Sequence, residues 1–195
     1  MQKKRSGFIV GGAILLIIII WIITSYNSLV KAQEKVKQQW SEVQNTYQRR
    51  LDLVPNLVNV VKGVSEFEQS TLTQIAEARA RALNGMSSDE ISAENYQRQK
   101  TLQDTLAAST KRLIVIIEKY PVLKGTAAYS GLQTQLEGTE RRIKVARNDF
   151  NEAVAIYNKK VRGFPTNVAA GLFGFKKKEG FEAVAGNENP VEIKF

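Results

Sequence analysis

The stretch RRLDLVPNLVNVVKG, residues 49–63, places Arg49, Arg50 and Asp52 directly before Pro55 and Asn56. A carboxylate beside two guanidiniums is held ionised, because neighbouring positive charge lowers its pKa. It is then a weak base at neutral pH. The group therefore suits ion pairing, or an acidic partner or lipid headgroup, better than proton transfer. The expected structural use is a corner clasp: Asp52 caps a helix opening at Pro55, and one arginine pairs with Asp52 or with a late carboxylate such as Glu140. A second charged run, TERRIKVARNDFNEAVAIYNKKVR, gathers Arg141, Arg142, Lys144 and Arg147 within two turns. Glu137, Glu140, Asp149 and Glu152 interleave at helical distances, so pairing one turn apart accounts for much of it. With no zinc-finger spacing, RRM-like run or helix-turn-helix, nucleic acid is not an expected partner.

Composition bounds the remaining chemistry. The 195 residues include no cysteine and no histidine, which removes thiol and imidazole catalysis, Cys/His zinc sites and disulfides. Di-metal sites in four-helix bundles use Glu-x-x-His pairs on facing helices, a pattern that needs histidine. No P-loop, GxSxG or strand-borne GxGxxG occurs. The expectation is a non-enzymatic protein without catalytic residues, cofactor, metal or small-molecule substrate. The net charge of +9 suits an anionic surface without choosing one.

The final residues, FPTNVAAGLFGFKKKEGFEAVAGNENPVEIKF, set Phe164, Phe173, Phe175 and Phe181 beside Lys176, Lys177 and Lys178. Aromatic rings next to lysines suit interfacial membrane binding or docking on a partner. Packing of the rings back onto the protein's own surface is the alternative, and both stay open. Past Ala185, GNENP reads as a flexible terminus.

These groups need positioning. Residues 7–26, GFIVGGAILLIIIIWIITSY, are twenty residues without a charge, about 30 Å as a helix and enough for a bilayer core. The run is too long for a signal-peptide h-region and no small-x-small cleavage site follows it, so an uncleaved anchor is expected. Gly7 and Gly11 form a small-residue spacing that lets two membrane helices approach closely. Lysines and arginines tie across the run; Arg5 lies nearer to it than Lys31, which favours the N-terminus inside and the soluble part outside.

Beyond the anchor the apolar residues fall at steps of three and four, the spacing of helices with one buried face. The stripes are Val36, Trp40, Val43, Tyr47, Leu51; then Leu57, Val58, Val61, Val64, Leu72, Ile75, Ala76, Leu83; then Ile91, Leu102, Leu106, Leu113, Ile116, Ile117; and finally Leu132, Leu136, Ile143, Ala146, Phe150, Val154, Tyr157, Val161. Proline is tolerated in a first turn and costs about 3 kcal/mol inside a helix, so Pro55 reads as a helix start. Gly85 reads as a C-terminal cap and Ser87 with Glu90 as a capping box. Helices are expected near 27–53, 55–83, 88–119 and 127–162, forming an all-α, up-and-down four-helix bundle. The alternative is a three-helix arrangement with one long helix kinked at Pro55, since the spacing continues from Leu51 through Val54 to Val58. The chain divides into a basic flank (1–6), the transmembrane helix (7–26), the bundle (27–163) and an aromatic and basic tail (164–195).

Several motifs in order resemble the LemA family of bacterial membrane proteins: YNSLV just past the anchor, RRLDLVPNLVNVVKG, FEQSTL with EARARA, YPVLK, QLEGTERRIKVARNDFNEAVAIYN and FPTNVAAGLFGFKKK. The resemblance extends from the anchor to about Phe181. It implies an N-terminal anchor with a bundle of four long helices, in a bacterial plasma (inner) membrane. It carries over no catalytic residue and no cofactor; Arg49, Arg50, Asp52, Pro55 and Asn56 mark the family's most recognisable block. The expected function is a self-assembling scaffold or interaction platform of the bacterial envelope, single-pass, with the bundle on the extracytoplasmic or periplasmic side. The expected partners are the lipid bilayer, further copies of the chain and a membrane protein. The rival reading is an accessory to a membrane protease or envelope sensor, docked through the arginine corner or the tail.

Overall fold

The computed structural model describes residues 2–62, 69–86 and 92–181, and no strand occurs among them. Six helices follow in order: α1 Gln2–Lys62, α2 Gln69–Gly85, α3 Ala93–Ile117, a single turn α4 Pro121–Lys124, α5 Ala127–Arg162 and α6 Thr166–Leu172. The part of α1 from Val10 onward contains a window long and apolar enough to cross a membrane, and Ile14, Leu15, Leu16, Ile17 and Ile20 on it are exposed.

Beyond that window, α1 forms the spine of the bundle. Leu29, Val36, Val43, Tyr47, Leu51, Leu57 and Val61 are fully buried on it, and Trp40 almost so. Steps of three and four keep these residues on one face, directed at the other helices. Cross-links set the directions. Ser28 meets Lys160, Tyr47 meets Arg147 and Arg50 meets Glu140, so α5 runs antiparallel to α1. Trp40 stacks near Tyr96 and Arg50 reaches Gln103, so α3 runs parallel to α1. With α2 antiparallel between them, the order is up, down, up, down, the four-helix bundle expected from the stripes.

Its first connection differs from expectation. Pro55 lies inside α1, which continues to Lys62. A proline there leaves the carbonyl four residues earlier without its N–H donor; Arg79 of α2 supplies one, with Nε donating to Leu51 O at 2.9 Å. The apolar stripe also runs on through Leu51, Val54, Leu57 and Val61, all buried. Tertiary contacts thus offset the local cost and the helix does not restart. Asp52 is consequently not a cap: it lies mid-helix, exposed, and accepts a hydrogen bond from Gln48 Nε2 at 2.8 Å.

Smaller differences follow from the same logic. On α2 the buried positions are Thr71, Leu72, Ile75, Ala78, Ala82 and Gly85, whereas Ala76 and Leu83 face outward. The short side chains bring α2 close to α3. A Cβ at Gly85 would lie 2.4 Å from Leu102 Cδ1, so this glycine serves helix approach and not a left-handed cap. Ser92 caps α3, its hydroxyl accepting from Asn95 N–H; the anticipated capping pair Ser87 and Glu90 lies outside the described residues, as do Val64 and Ile91. Thr126 caps α5 in the same way, accepting from Tyr129 N–H. That helix ends at Gly163, whose N–H still reaches Lys159 O.

Candidate functional site

Two apolar clusters share the bundle. One joins the late part of α1 (Leu51, Leu57, Val61) to α2, to Leu106, Leu113 and Ile117 of α3, and to Tyr129 and Leu136 of α5. The other joins Val36, Trp40, Val43 and Tyr47 of α1 to Tyr96, Ile143, Phe150, Tyr157 and Phe181. Between them lies a layer of polar side chains, built from α1, α3 and α5.

Arg50 occupies its centre with 2% exposure. Its Nε donates to Glu140 Oε1 at 2.9 Å and its Nη2 to Glu140 Oε2, a two-pronged pairing with α5. Its Nη1 donates to the backbone carbonyl of Gln103 at 2.9 Å and to Gln103 Oε1 at 3.1 Å, tying in α3. The planar guanidinium matches the carboxylate fork, and a buried charge with this many partners is well satisfied. One turn away, Arg147 of α5 donates from Nε to the Tyr47 hydroxyl and from Nη2 to Asp104 Oδ1, both at 2.9 Å. Lys100 joins Asp104 at 3.3 Å.

The titration properties fit an anchored network. Burial works against the charge on Arg147, but Tyr47 and Asp104 outweigh it and hold the pKa above its ordinary value. Burial raises Tyr47, against the pull of Arg147. Burial alone pushes Tyr96 up to about 12. Groups shifted this way keep their neutral-pH protonation states, so none of Tyr47, Tyr96 and Arg147 is poised to exchange a proton near pH 7. Among the described residues no cluster of three or more Asp or Glu is placed to hold a metal ion.

The block Arg49, Arg50, Asp52, Pro55, Asn56 is therefore dispersed around α1. Arg50 points into the bundle; Arg49 lies outside and donates to Gln135 Oε1 at 3.1 Å; Asp52 and Asn56 face solvent. Of the later charged run, Arg147 turns inward while Arg141 pairs with Glu137 one turn before it. Reasoning on apolar spacing overlooked Gln99, Gln103 and Thr110, because they are polar. They are nonetheless buried, and with Tyr96, Leu106, Leu113 and Ile117 they make an unbroken three–four repeat along α3.

The tail returns to the bundle in two ways. Ala169 and Ala170 of α6 pack on Leu29, with Trp21, Val161 and Phe175 alongside. Tyr26 meets Phe173 and Phe175 edge-on at 4.8 and 5.8 Å. Farther on, the chain is strapped along α5. Asn158 donates to Lys178 O at 2.7 Å and accepts from Lys178 N–H at 2.9 Å. Asn151 donates to Phe181 O at 3.1 Å and accepts from Phe181 N–H at 2.8 Å. Seven helical residues and three extended ones both cover about 10 Å, so the two asparagines match the strap's spacing. Phe181 thereby enters the cluster of Trp40, Tyr96 and Phe150. Phe175 and Phe181 thus follow the packing alternative, whereas Phe173 remains half-exposed and Phe164 almost fully exposed. On α1, a Cβ at Gly11 would meet nothing within 4 Å; Gly7 lies on the same helix one turn earlier.

A bundle of long helices continuous with one apolar helix, its buried arginines paired across α1, α3 and α5, defines a membrane-associated helical-bundle protein. Comparison with known sequences agrees: the profile of the LemA family matches residues 39–195. The chain belongs to the LemA family. It is similar to Magnetosome protein MamQ 2 of Paramagnetospirillum magneticum, with 25% identity over 87% of this chain and 69% of that relative. It is similar also to Magnetosome protein MamQ of Magnetospirillum gryphiswaldense, with 26% identity over 91% of this chain and 72% of the relative. Protein LemA of Metamycoplasma hominis is 24% identical over 74% of this chain and 63% of its own length.

Proposed function

We propose that this protein is a non-enzymatic, membrane-anchored scaffold whose copies associate through the anchor and present the bundle at a bacterial envelope membrane. The observation that carries this reading is the interlocked polar layer: Arg50, Glu140, Gln103, Arg147, Asp104 and Tyr47 bond to one another across three helices. A centre built for turnover keeps a reactive group free for substrate. This layer instead fixes helix register, a use for which buried ion pairs are suited.

Association is supported by the open face at Gly11 and Gly12, where an added Cβ finds no neighbour. Small residues on such a face admit a second helix at close range. Anchoring raises the local concentration of copies, so weak lateral contacts count.

The chain contains no cysteine, so an introduced one is unique. Oxidation of Gly11→Cys in native membranes is expected to yield disulfide-linked dimers. Ala13→Cys, on the opposite face, is expected to yield few. Monomers at every protein concentration in detergent sizing would overturn the assembly reading. A single recurrent adduct with a foreign protein would replace it with an accessory role beside a membrane protease or sensor.

A further inference from the structure

Residues 164–175, FPTNVAAGLFGF, are twelve consecutive residues without a charge. Basic residues bracket them: Lys159, Lys160 and Arg162 before, Lys176, Lys177 and Lys178 after. The segment holds α6, and its small residues Ala169 and Ala170 are buried against Leu29. That contact reaches into the anchor itself. Trp21 packs on the same cluster, Ser25 is buried, and Tyr26 meets Phe173 and Phe175. Trp21, Ser25 and Tyr26 all belong to the uncharged run of residues 7–26. Whatever depth the end of that run occupies, α6 occupies beside it.

The outer side of the segment is apolar and uncovered. Phe164 is 86% exposed, Leu172 68%, and Val168 and Phe173 49% each. Val168 and Leu172 lie one turn apart on one face of α6, and Phe164 stands just before that helix. On α1, between Trp21 and Tyr26, Ile23 is 54% exposed. In water exposed apolar surface of this kind is unfavourable. Beside a membrane anchor, lipid is at hand to cover it.

We propose that residues 164–175 lie in the plane of the bilayer, with Phe164, Val168, Leu172 and Phe173 in the boundary between headgroups and acyl chains. Lys176, Lys177 and Lys178, with Arg162 and Lys159, then sit among headgroup phosphates. Apolar residues facing inward and lysines at headgroup level match the usual arrangement of an interfacial helix, which enters roughly 5–10 Å. The bundle would therefore stand on two membrane contacts, the crossing of α1 and the foot made by α6, and its tilt would be constrained. This inference rests on α1 as the anchor and is independent of self-association.

The test uses the full-length chain in nanodiscs containing one copy each. Single cysteines are introduced as Val168→Cys and Leu172→Cys, with Val122→Cys as a control in α4 that is 86% exposed. Each is labelled with a fluorophore sensitive to polarity, and helical content by circular dichroism confirms folding. Brominated lipid is expected to quench positions 168 and 172 several-fold more than position 122, and aqueous iodide to show the reverse order. Iodide quenching at 172 equal to that at 122 would overturn the proposal. So would protection that appears only in discs holding two copies, because a second chain would then be the cover. Discs of zwitterionic and of partly anionic lipid provide the charge arm: K176Q/K177Q/K178Q is expected to lessen quenching by bromolipid in anionic discs more than in zwitterionic ones. An equal effect in both would remove the phosphate contacts from the proposal.

Discussion

Arg79 Nε donates to Leu51 O at 2.9 Å, and Leu51 is the residue whose carbonyl Pro55 leaves without a helical donor. A side chain from α2 thus completes the backbone bonding of α1. This contact lets one helix run from the anchor through the spine of the bundle, with no restart at the proline.

The coupling is measurable as a double-mutant cycle on thermal unfolding in detergent. Arg79→Met is expected to cost about 1–2 kcal/mol, the scale of a buried carbonyl losing its partner. In a Pro55→Ala background the restored N–H serves Leu51 and the cost of Arg79→Met should fall below about 0.5 kcal/mol, a coupling within the range for contacting residues. Equal costs in the two backgrounds would show that Arg79 acts elsewhere.

Arg50 supplies the second test. Removing one partner of a buried ion pair leaves the other uncompensated and costs about 3–5 kcal/mol. Arg50→Met is expected near the lower end, because Glu140 has 49% exposure and can regain water. Glu140→Gln should cost more, toward about 5 kcal/mol, since it leaves the Arg50 guanidinium, 2% exposed, without its counter-charge. Chemical denaturation of both variants gives the order; a larger loss from Arg50→Met would reverse the assignment of roles.

Tyr96 gives a pH dependence with a definite sign. Its folded pKa is raised from 10.0 to about 12, so the unfolded state loses the phenolic proton first. The associated stability is complete below pH 10 and is lost as pH rises toward about 12, an amount near 2–3 kcal/mol for two units. The hydroxyl has no hydrogen-bond partner in the structure. Tyr96→Phe is therefore expected to change stability little at pH 7, within about 1 kcal/mol, and to flatten the decline between pH 10 and 12. A large loss at neutral pH would show that the hydroxyl carries a bond.

The asparagine straps predict local effects. Asn158→Ala removes both bonds to Lys178, and Asn151→Ala both bonds to Phe181. Each is expected to raise amide hydrogen exchange at its own strap residue, for a loss of about 1–3 kcal/mol over two bonds. Exchange in the centre of α1 should stay unchanged. Asn151→Ala should also expose Phe181 and shift the fluorescence of neighbouring Trp40. Unchanged exchange at Lys178 or Phe181 would mean the strap is held by its side chains alone.

Much of this architecture was readable in the residue order. The anchor follows from twenty uncharged residues, and α5 from apolar spacing that holds from Leu132 to Val161. Val36, Trp40, Val43, Tyr47 and Leu51 were legible as a buried stripe for the same reason. The polar layer was less visible: Gln99, Gln103 and Thr110 occupy core positions of α3, where a reading of apolar periodicity registers gaps. Arg49 and Arg50 are neighbours of one type, and only the helix phase sends one inward and the other out.

What the sequence alone determined is periodicity, length and charge, which are local quantities: an apolar anchor, helices with one buried face, and the absence of thiol and imidazole chemistry. The tertiary structure decided whether Pro55 ends a helix, which arginine is buried, and where the tail lies. Each of those outcomes depends on a partner far along the chain: Arg79 for Leu51, Glu140 and Gln103 for Arg50, Asn151 and Asn158 for the strap. A local pattern measures what a segment costs to form, but the bond that offsets the cost comes from another helix.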